Sequence, residues 1–298
     1  MSNAVVRLAL NPDTTPLSVS DTLVFKSLEE RAREAFEAGF EAVNVDRQPD
    51  LTAAEAVEIL EKYSLQPASG FFHDHLQDED CEPDIMARAR RQAEFSTVVG
   101  QDGIFVSAFV SPPQRLALAG QIESGEPVSL ASREFGQLVR ILEKIAALWN
   151  DFGIDLYYHP HVGTYIEAPH EIHQLMRETD PQLVKLGPDT GHLLFAGADP
   201  ITMTDTYIDR VGAIHLKDAR QDVVAAVRRL GLGYREACAR GVWTEIGNGD
   251  VNFEGFFAML ERNSWSGWII VETDHTELPT ALESSRISRK YLKQTFGI

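Results

Sequence analysis

Residues 155–218 read DLYYHPHVGTYIEAPHEIHQLMRETDPQLVKLGPDTGHLLFAGADPITMTDTYIDRVGAIHLKD. Three short apolar runs, at 155–159, 182–186 and 211–216, read as strands. Each stops at polar residues, and helical patterns at 170–177 and 202–210 separate them. Strands alternating with helices at this spacing imply parallel pairing through crossover helices.

The same rhythm extends outward in both directions. Toward the N-terminus, strands are expected at 5–10, 42–45, 66–71 and 103–110. Helices are expected at 28–38, 53–63, 83–99 and within 128–152, with Gly39 as a C-terminal stop and Thr52 as an N-cap. The run at 103–110 (GIFVSAFV) is apolar throughout and ends at Ser111-Pro112-Pro113, as a doubly covered parallel strand should. Toward the C-terminus, a last strand at 268–272 precedes a closing helix at 281–296. Eight strand–helix units without a linker or a repeat predict one (β/α)8 TIM-barrel domain over residues 1–298. An open dinucleotide-binding sheet would carry GxGxxG after its first strand, and none is present. One crossover, 219–261, is too long for a plain connection. It holds helical stretches at 222–230 and 234–240 and reads as a rim insertion over the barrel mouth.

The chain has 298 residues, 27 Lys+Arg against 45 Asp+Glu, and a net charge of −18. An acidic surface repels phosphate backbones and anionic lipid, so neither nucleic acid nor membrane is an expected partner. The charge also disfavours a DNA-repair barrel. Cys81 and Cys238 read as two unpaired thiols of a reducing compartment. With no charged-then-apolar leader and no apolar run of about 20 residues, the expected location is cytoplasmic. The expected partner is a small molecule, and a homo-oligomer is compatible with the sequence.

In a barrel, residues just past the C-terminal end of each strand converge on one mouth. The fifth strand runs into His159-Pro160-His161 and on to Glu167. The sixth ends at Asp189-Thr190-Gly191-His192, the seventh at His215-Leu216-Lys217-Asp218, and the eighth at Glu272-Thr273-Asp274-His275. Each residue alone is more simply a turn, a cap or a solvated side chain. Recurrence at four successive strand ends points instead to a metal site of Glu167, Asp189, His215 and Glu272. These mixed oxygen and nitrogen ligands suit Mn²⁺, Co²⁺, Mg²⁺ or Zn²⁺. His73 and His75 follow the third strand at a spacing that aims both rings to one side. His170 and His173 fall on a helix away from the mouth. No GxSxG, HExxH or CxxC occurs.

On these residues the chain resembles the xylose-isomerase-like barrel superfamily of sugar isomerases and epimerases. Within it, the chain is most similar to the inosose (2-keto-myo-inositol) dehydratases. The resemblance rests on Leu10-Asn11-Pro12, HPHVGTYIE at 159–167, DTGHLLFAGADP at 189–200 and HLKDAR at 215–220. Its most specific part is YREACARGVWTEIGNGDVNF at 234–253, in the rim insertion. Asn44-Val45-Asp46-Arg47, the run 69–75 and the residues after Glu272 depart from the pattern, and these positions line the mouth.

The resemblance implies an enzyme of carbohydrate metabolism that uses one divalent metal to work on a cyclic polyol ketone or keto-sugar. Glu167 or Glu272 would take the proton beside the carbonyl, and Lys217 would stabilise the oxyanion. His192 or His161 would protonate a departing hydroxyl in a dehydration. A second carboxylate returning the proton would instead give isomerisation or epimerisation. Expected substrate contacts are His159, His161, Asp46, His73, Asp218 and Arg220.

Overall fold

The computed structural model describes residues 6–20, 22, 24–108, 112–123 and 128–298. Local signals build its elements much as the sequence predicts. Ser27 and Glu30 form a capping box at the start of the helix Leu28–Ala38, and Gly39 ends it in the left-handed conformation (φ 83°). Thr52 and Glu55 repeat the device for the helix Ala53–Tyr63.

The barrel strands are β1 (Val6–Asn11), β2 (Ala42–Asn44), β3 in two pieces (Gln66–Ala68 and Phe71–His73), β4 (Gly103–Ser107), β5 (Asp155–Tyr158), β6 (Val184–Leu186), β7 (Ala213–Leu216) and β8 (Gly267–Glu272). Parallel pairing runs β1–β2–β3 through the first piece of β3 and β3–β4–β5–β6 through the second. Isolated bridges Leu186↔Val211 and Asp189↔His215 join β6 to β7, and β7–β8–β1 closes the ring.

The break in β3 is the main departure from the expected strand at 66–71. A Cβ on Gly70 would lie 2.1 Å from the Val45 carbonyl oxygen, so the chain crosses β2 closely there. Asp46 Oδ1 then accepts the Phe71 N–H at 2.7 Å, and the strand resumes toward His73. Residue 5 of the first expected strand, residues 109–110 of the fourth and its stop at 111 lie outside the described residues. The long helix occupies Ser132–Asn150 within the expected 128–152. Three helices were not anticipated: Pro113–Ala117, Thr190–Ala196 and Phe253–Arg262. The last of these carries the regular crossover back to β8 and shortens the rim insertion.

Inside the ring, small residues from β1, β2, β3 and β7 (Ala9, Ala42, Ala68, Ala213) face Phe105, Tyr157 and Trp268 from β4, β5 and β8. That alternation fills the barrel instead of leaving a pore. Between strands and helices lie two larger apolar clusters, one around Val43, Ile214 and Ile269 and one around Ile104, Leu156 and Trp149.

The rim insertion leaves β7 as a short antiparallel pair, Asp218–Ala219 with Trp243–Thr244, enclosing the helices Gln221–Leu230 and Tyr234–Ala239. Asp218 anchors it. Its carboxylate accepts the backbone N–H groups of Ala219 (2.9 Å), Gly247 (2.9 Å), Gly249 (2.9 Å) and Val251 (3.1 Å).

Two stability changes follow from this packing. A Cβ on Gly212 would fall 2.1 Å from the Tyr157 ring, so Gly212→Ala is expected to cost about 1–3 kcal/mol and to lower the urea midpoint. Asp218→Ala strands the buried N–H groups of Ala219 and Val251, each worth about 1–3 kcal/mol, and frees those of Gly247 and Gly249. Limited proteolysis should then cut within 240–251 before the barrel itself is cleaved.

Candidate active site

The strand ends deliver their polar side chains to one place, and the structure sorts them into two clusters. Ligand-capable atoms of His159, Asp189 and His215 lie within 4.8 Å of one another, all buried. Asp189 sits at the end of β6 as the N-cap of the helix Thr190–Ala196, and its Oδ1 accepts the His192 N–H at 2.9 Å. Its other oxygen, Oδ2, is buried without a hydrogen-bond partner. It lies 3.9 Å from His215 Nδ1, which is itself 2.8 Å from Glu272 Oε2. Burial pushes the Asp189 carboxyl up to about 6, against the opposing pull of Lys217. An orphaned carboxylate oxygen beside two imidazoles and a second carboxylate fits a divalent cation.

The second cluster is His161, His192 and Asp274, and it already contains a cation. The buried Lys217 ammonium lies 2.6 Å from Asp274 Oδ1, 3.0 Å from Glu272 Oε2, 3.6 Å from Asp189 Oδ2 and 3.1 Å from His192 Nε2. Burial alone would lower its pKa, but Asp274, Glu272 and Asp189 raise it above the ordinary lysine value. Lys217 therefore stays charged. Burial, joined by His161 and Lys217, holds His192 well below the usual histidine range, and burial pushes His161 down to about 4. Both rings are neutral. Glu272 is held well below the carboxylate range: burial opposes this, but Lys217 and His215 prevail.

Above these clusters opens a cavity of about 360 Å³, within the ~300–1,000 Å³ of small-ligand pockets. Of the expected residues, Asp46, His73, His159, His161 and Glu272 line it. Asp189, His215, Lys217 and His192 lie buried at its base, so Lys217 acts from behind Glu272 and Asp274.

Three expected residues are not brought to the cavity. Glu167 gives Oε1 to the Gly120 N–H and Oε2 to the Gly163 N–H, 4.0 Å from Arg115. It thus fastens its own loop, and His159 is the β5 residue that meets Asp189 and His215. Asp218 is spent on the rim insertion. Arg220 pairs with Glu277 at 2.7 Å, away from the cavity lining. His170 and His173 lie on the helix Pro169–Glu178, as expected, and His173 meets Tyr207 at 2.6 Å.

Asp274 and Tyr234 escaped the sequence reading. Asp274 carried a signal, standing two residues after Glu272 on an extended segment, where alternate side chains share a side. Tyr234 carried none. The rim insertion brings its hydroxyl to donate to Asp274 Oδ2 at 2.9 Å, while Trp243 covers Lys217 at 5.1 Å from its ring centre. Asn11 was noted only in a motif, yet its amide donates to Glu272 Oε1 at 2.5 Å.

Comparison with known proteins agrees with this fold. The model of the xylose isomerase-like TIM barrel family matches residues 32–295. The inosose dehydratase of Clostridium perfringens is 31% identical over 300 residues, covering 99% of each chain. That of Clostridium tetani is 31% identical over 88% of this chain and 87% of its own. Among solved structures, D-allulose 3-epimerase from Methylomonas sp. superposes with a TM-score of 0.70 at 14% identity, covering 98% of both chains. The IOLI protein with a bound zinc atom gives 0.68 at 13% identity, covering 97% of both. These two establish the fold. With the family model spanning most of the chain and full-length relatives above 30% identity, the chain belongs to the xylose isomerase-like TIM barrel family, alongside its inosose dehydratases.

Proposed function

We propose that this chain is a metal-dependent dehydratase of cyclic polyol ketones, with an inosose as the type substrate. The observation that carries the reading is the His159–Asp189–His215 cluster, with its orphaned Asp189 oxygen, at the base of a small-ligand cavity. Full-length similarity to inosose dehydratases supports the choice of reaction.

His159, Asp189 and His215 would hold the ion, with Glu272 as the adjoining carboxylate. Two imidazoles in the set favour Zn²⁺, Co²⁺ or Mn²⁺ over Mg²⁺. Such an ion, when bound, supplies Lewis acidity toward a ketone oxygen. The remaining work belongs to the chain. Glu272 lines the cavity as an ionised carboxylate and takes the proton from the carbon beside the ketone. Lys217, one layer behind, pairs with Glu272 and Asp274, keeps Glu272 ionised and offsets the negative charge that grows on the substrate. The C–O bond at the β carbon then breaks. His161, which lines the same cavity with its Nδ1–H held by the Val162 carbonyl oxygen, positions at its bare Nε2 a solvent molecule that gives the departing oxygen its proton. Glu272 returns its own proton to solvent. The sum is loss of one water and formation of one carbon–carbon double bond.

Incubated with Mn²⁺ or Co²⁺ and an inosose, the purified protein is expected to develop the ultraviolet absorbance of a conjugated dione. An inert inosose, together with re-equilibration of a ketohexose at one carbon without loss of water, would make the protein an epimerase instead. Calorimetric titration with Mn²⁺ checks the ligand set. Asp189→Asn and His159→Gln should each weaken binding by more than about tenfold, and Glu167→Gln should leave it unchanged. The reverse order for His159 and Glu167 would return the β5 ligand to Glu167.

A further inference from the structure

The cavity is not uniformly charged. At its base, Glu272 and Asp274 surround Lys217, and along one wall Asp13 and Asp46 pair with the buried Arg31 at 2.8 and 2.6 Å. Lys26 is taken by Glu34 at 2.6 Å. Arg88 is taken by Asp74 and the His73 carbonyl oxygen, and its guanidinium rests 5.4 Å from the Phe72 ring centre. Every one of these cations has an anionic partner within the protein.

Arg47 has none. It follows Asp46 at the end of β2, is half-buried and lines the cavity beside Gln48, His73, Arg88 and Gln92. No carboxylate or hydrogen-bond acceptor among the described residues engages its guanidinium. Its electrostatic neighbours are two further arginines, Arg91 and Arg88, and burial together with that repulsion lowers its pKa. In a chain of net charge −18, with 45 acidic side chains to choose from, an unpaired guanidinium lining the cavity, next to the paired Arg88 and the exposed Arg91, is an open anion position. A guanidinium presents parallel N–H donors that match a carboxylate. The one helix that begins among the described lining residues, at Tyr234, brings that residue's hydroxyl to the cavity, where it donates to Asp274 Oδ2.

We propose that the substrate of this chain carries a carboxylate on the side of the ring remote from the reacting carbons, and that Arg47 binds it. The proposal rests on the reading of this cavity as the substrate site. It makes the natural substrate an anionic relative of a neutral inosose. Asp46, bound to Arg31 and the Phe71 N–H, fixes the backbone from which Arg47 projects.

Binding tests this without depending on turnover. The metal-loaded protein is titrated calorimetrically with quinate, a cyclic polyol carboxylate, and with myo-inositol, its neutral counterpart. Quinate is expected to bind at least tenfold more tightly, with an affinity that falls as salt rises. Arg47→Gln should bring quinate down to the level of myo-inositol while leaving myo-inositol unchanged. Arg47 is half-exposed, so the variant should fold, which an unchanged Tm will confirm. Equal or weaker binding of quinate, or a quinate affinity untouched by Arg47→Gln, overturns the proposal. Failure to dehydrate any ketone, with quinate binding as expected, would sink the dehydratase reading alone.

Discussion

One buried ammonium makes the mouth of this barrel possible. Asp189, Glu272 and Asp274 arrive from β6 and β8 into a largely buried volume, where three carboxylates would repel one another and gain little solvation. Lys217 places its charge 2.6–3.6 Å from all three. Removing a charge from water costs several kcal/mol per ion, and only close opposite charge returns it. The carboxylates do so here, which is why the lysine stays protonated despite full burial. Trp243 covers the remaining side of the ammonium, so the rim insertion helps keep the charge dry.

That cation also separates the roles of two similar groups of ligands. Both contain imidazoles and a carboxylate within 4.8 Å of one another. In the His161–His192–Asp274 group, Lys217 and Tyr234 already satisfy Asp274. In the His159–Asp189–His215 group, one Asp189 oxygen has no hydrogen-bond partner, so this is the group that could take a further positive charge. On the proposed reading, one internal cation and one external ion would share a floor of carboxylates that neither would neutralise alone.

The barrel was legible because its strands are short, apolar and regularly spaced, and because helix caps such as Thr52 and Gly39 act locally. The identity of the strand ends was legible for the same reason: Asp189, His215 and Glu272 each stand within three residues of the end of an apolar run. Glu167 misled, since it follows β5 by several residues in a loop. Only the folded loop shows its carboxylate turned to the N–H groups of Gly120 and Gly163. Asp218 misled in the opposite way. It stands beside Lys217 in sequence, but extended neighbours point to opposite sides, and its side chain faces the rim insertion. Tyr234 could not be found from sequence because its place depends on how the rim insertion folds back. The break in β3 was hidden too, since it comes from the contact of Gly70 with Val45 on another strand.

The wall formed by β1, β2 and β3 is not independent of the metal floor. Arg31 gives its donors to Asp13, Asp46, Asn11 and Asn44, and Asn11 in turn donates to Glu272. A substitution at any of these positions would therefore shift the carboxylate that faces the substrate. Arg47 belongs to the same wall but to none of these bonds. It is the position where this barrel can alter which ring substituent it accepts while Glu272 stays where it is. On the proposed reading the neighbouring residues 46 and 47 thus have separate tasks: Asp46 belongs to the network that holds Glu272, the group that takes the proton, and Arg47 binds the substrate's carboxylate.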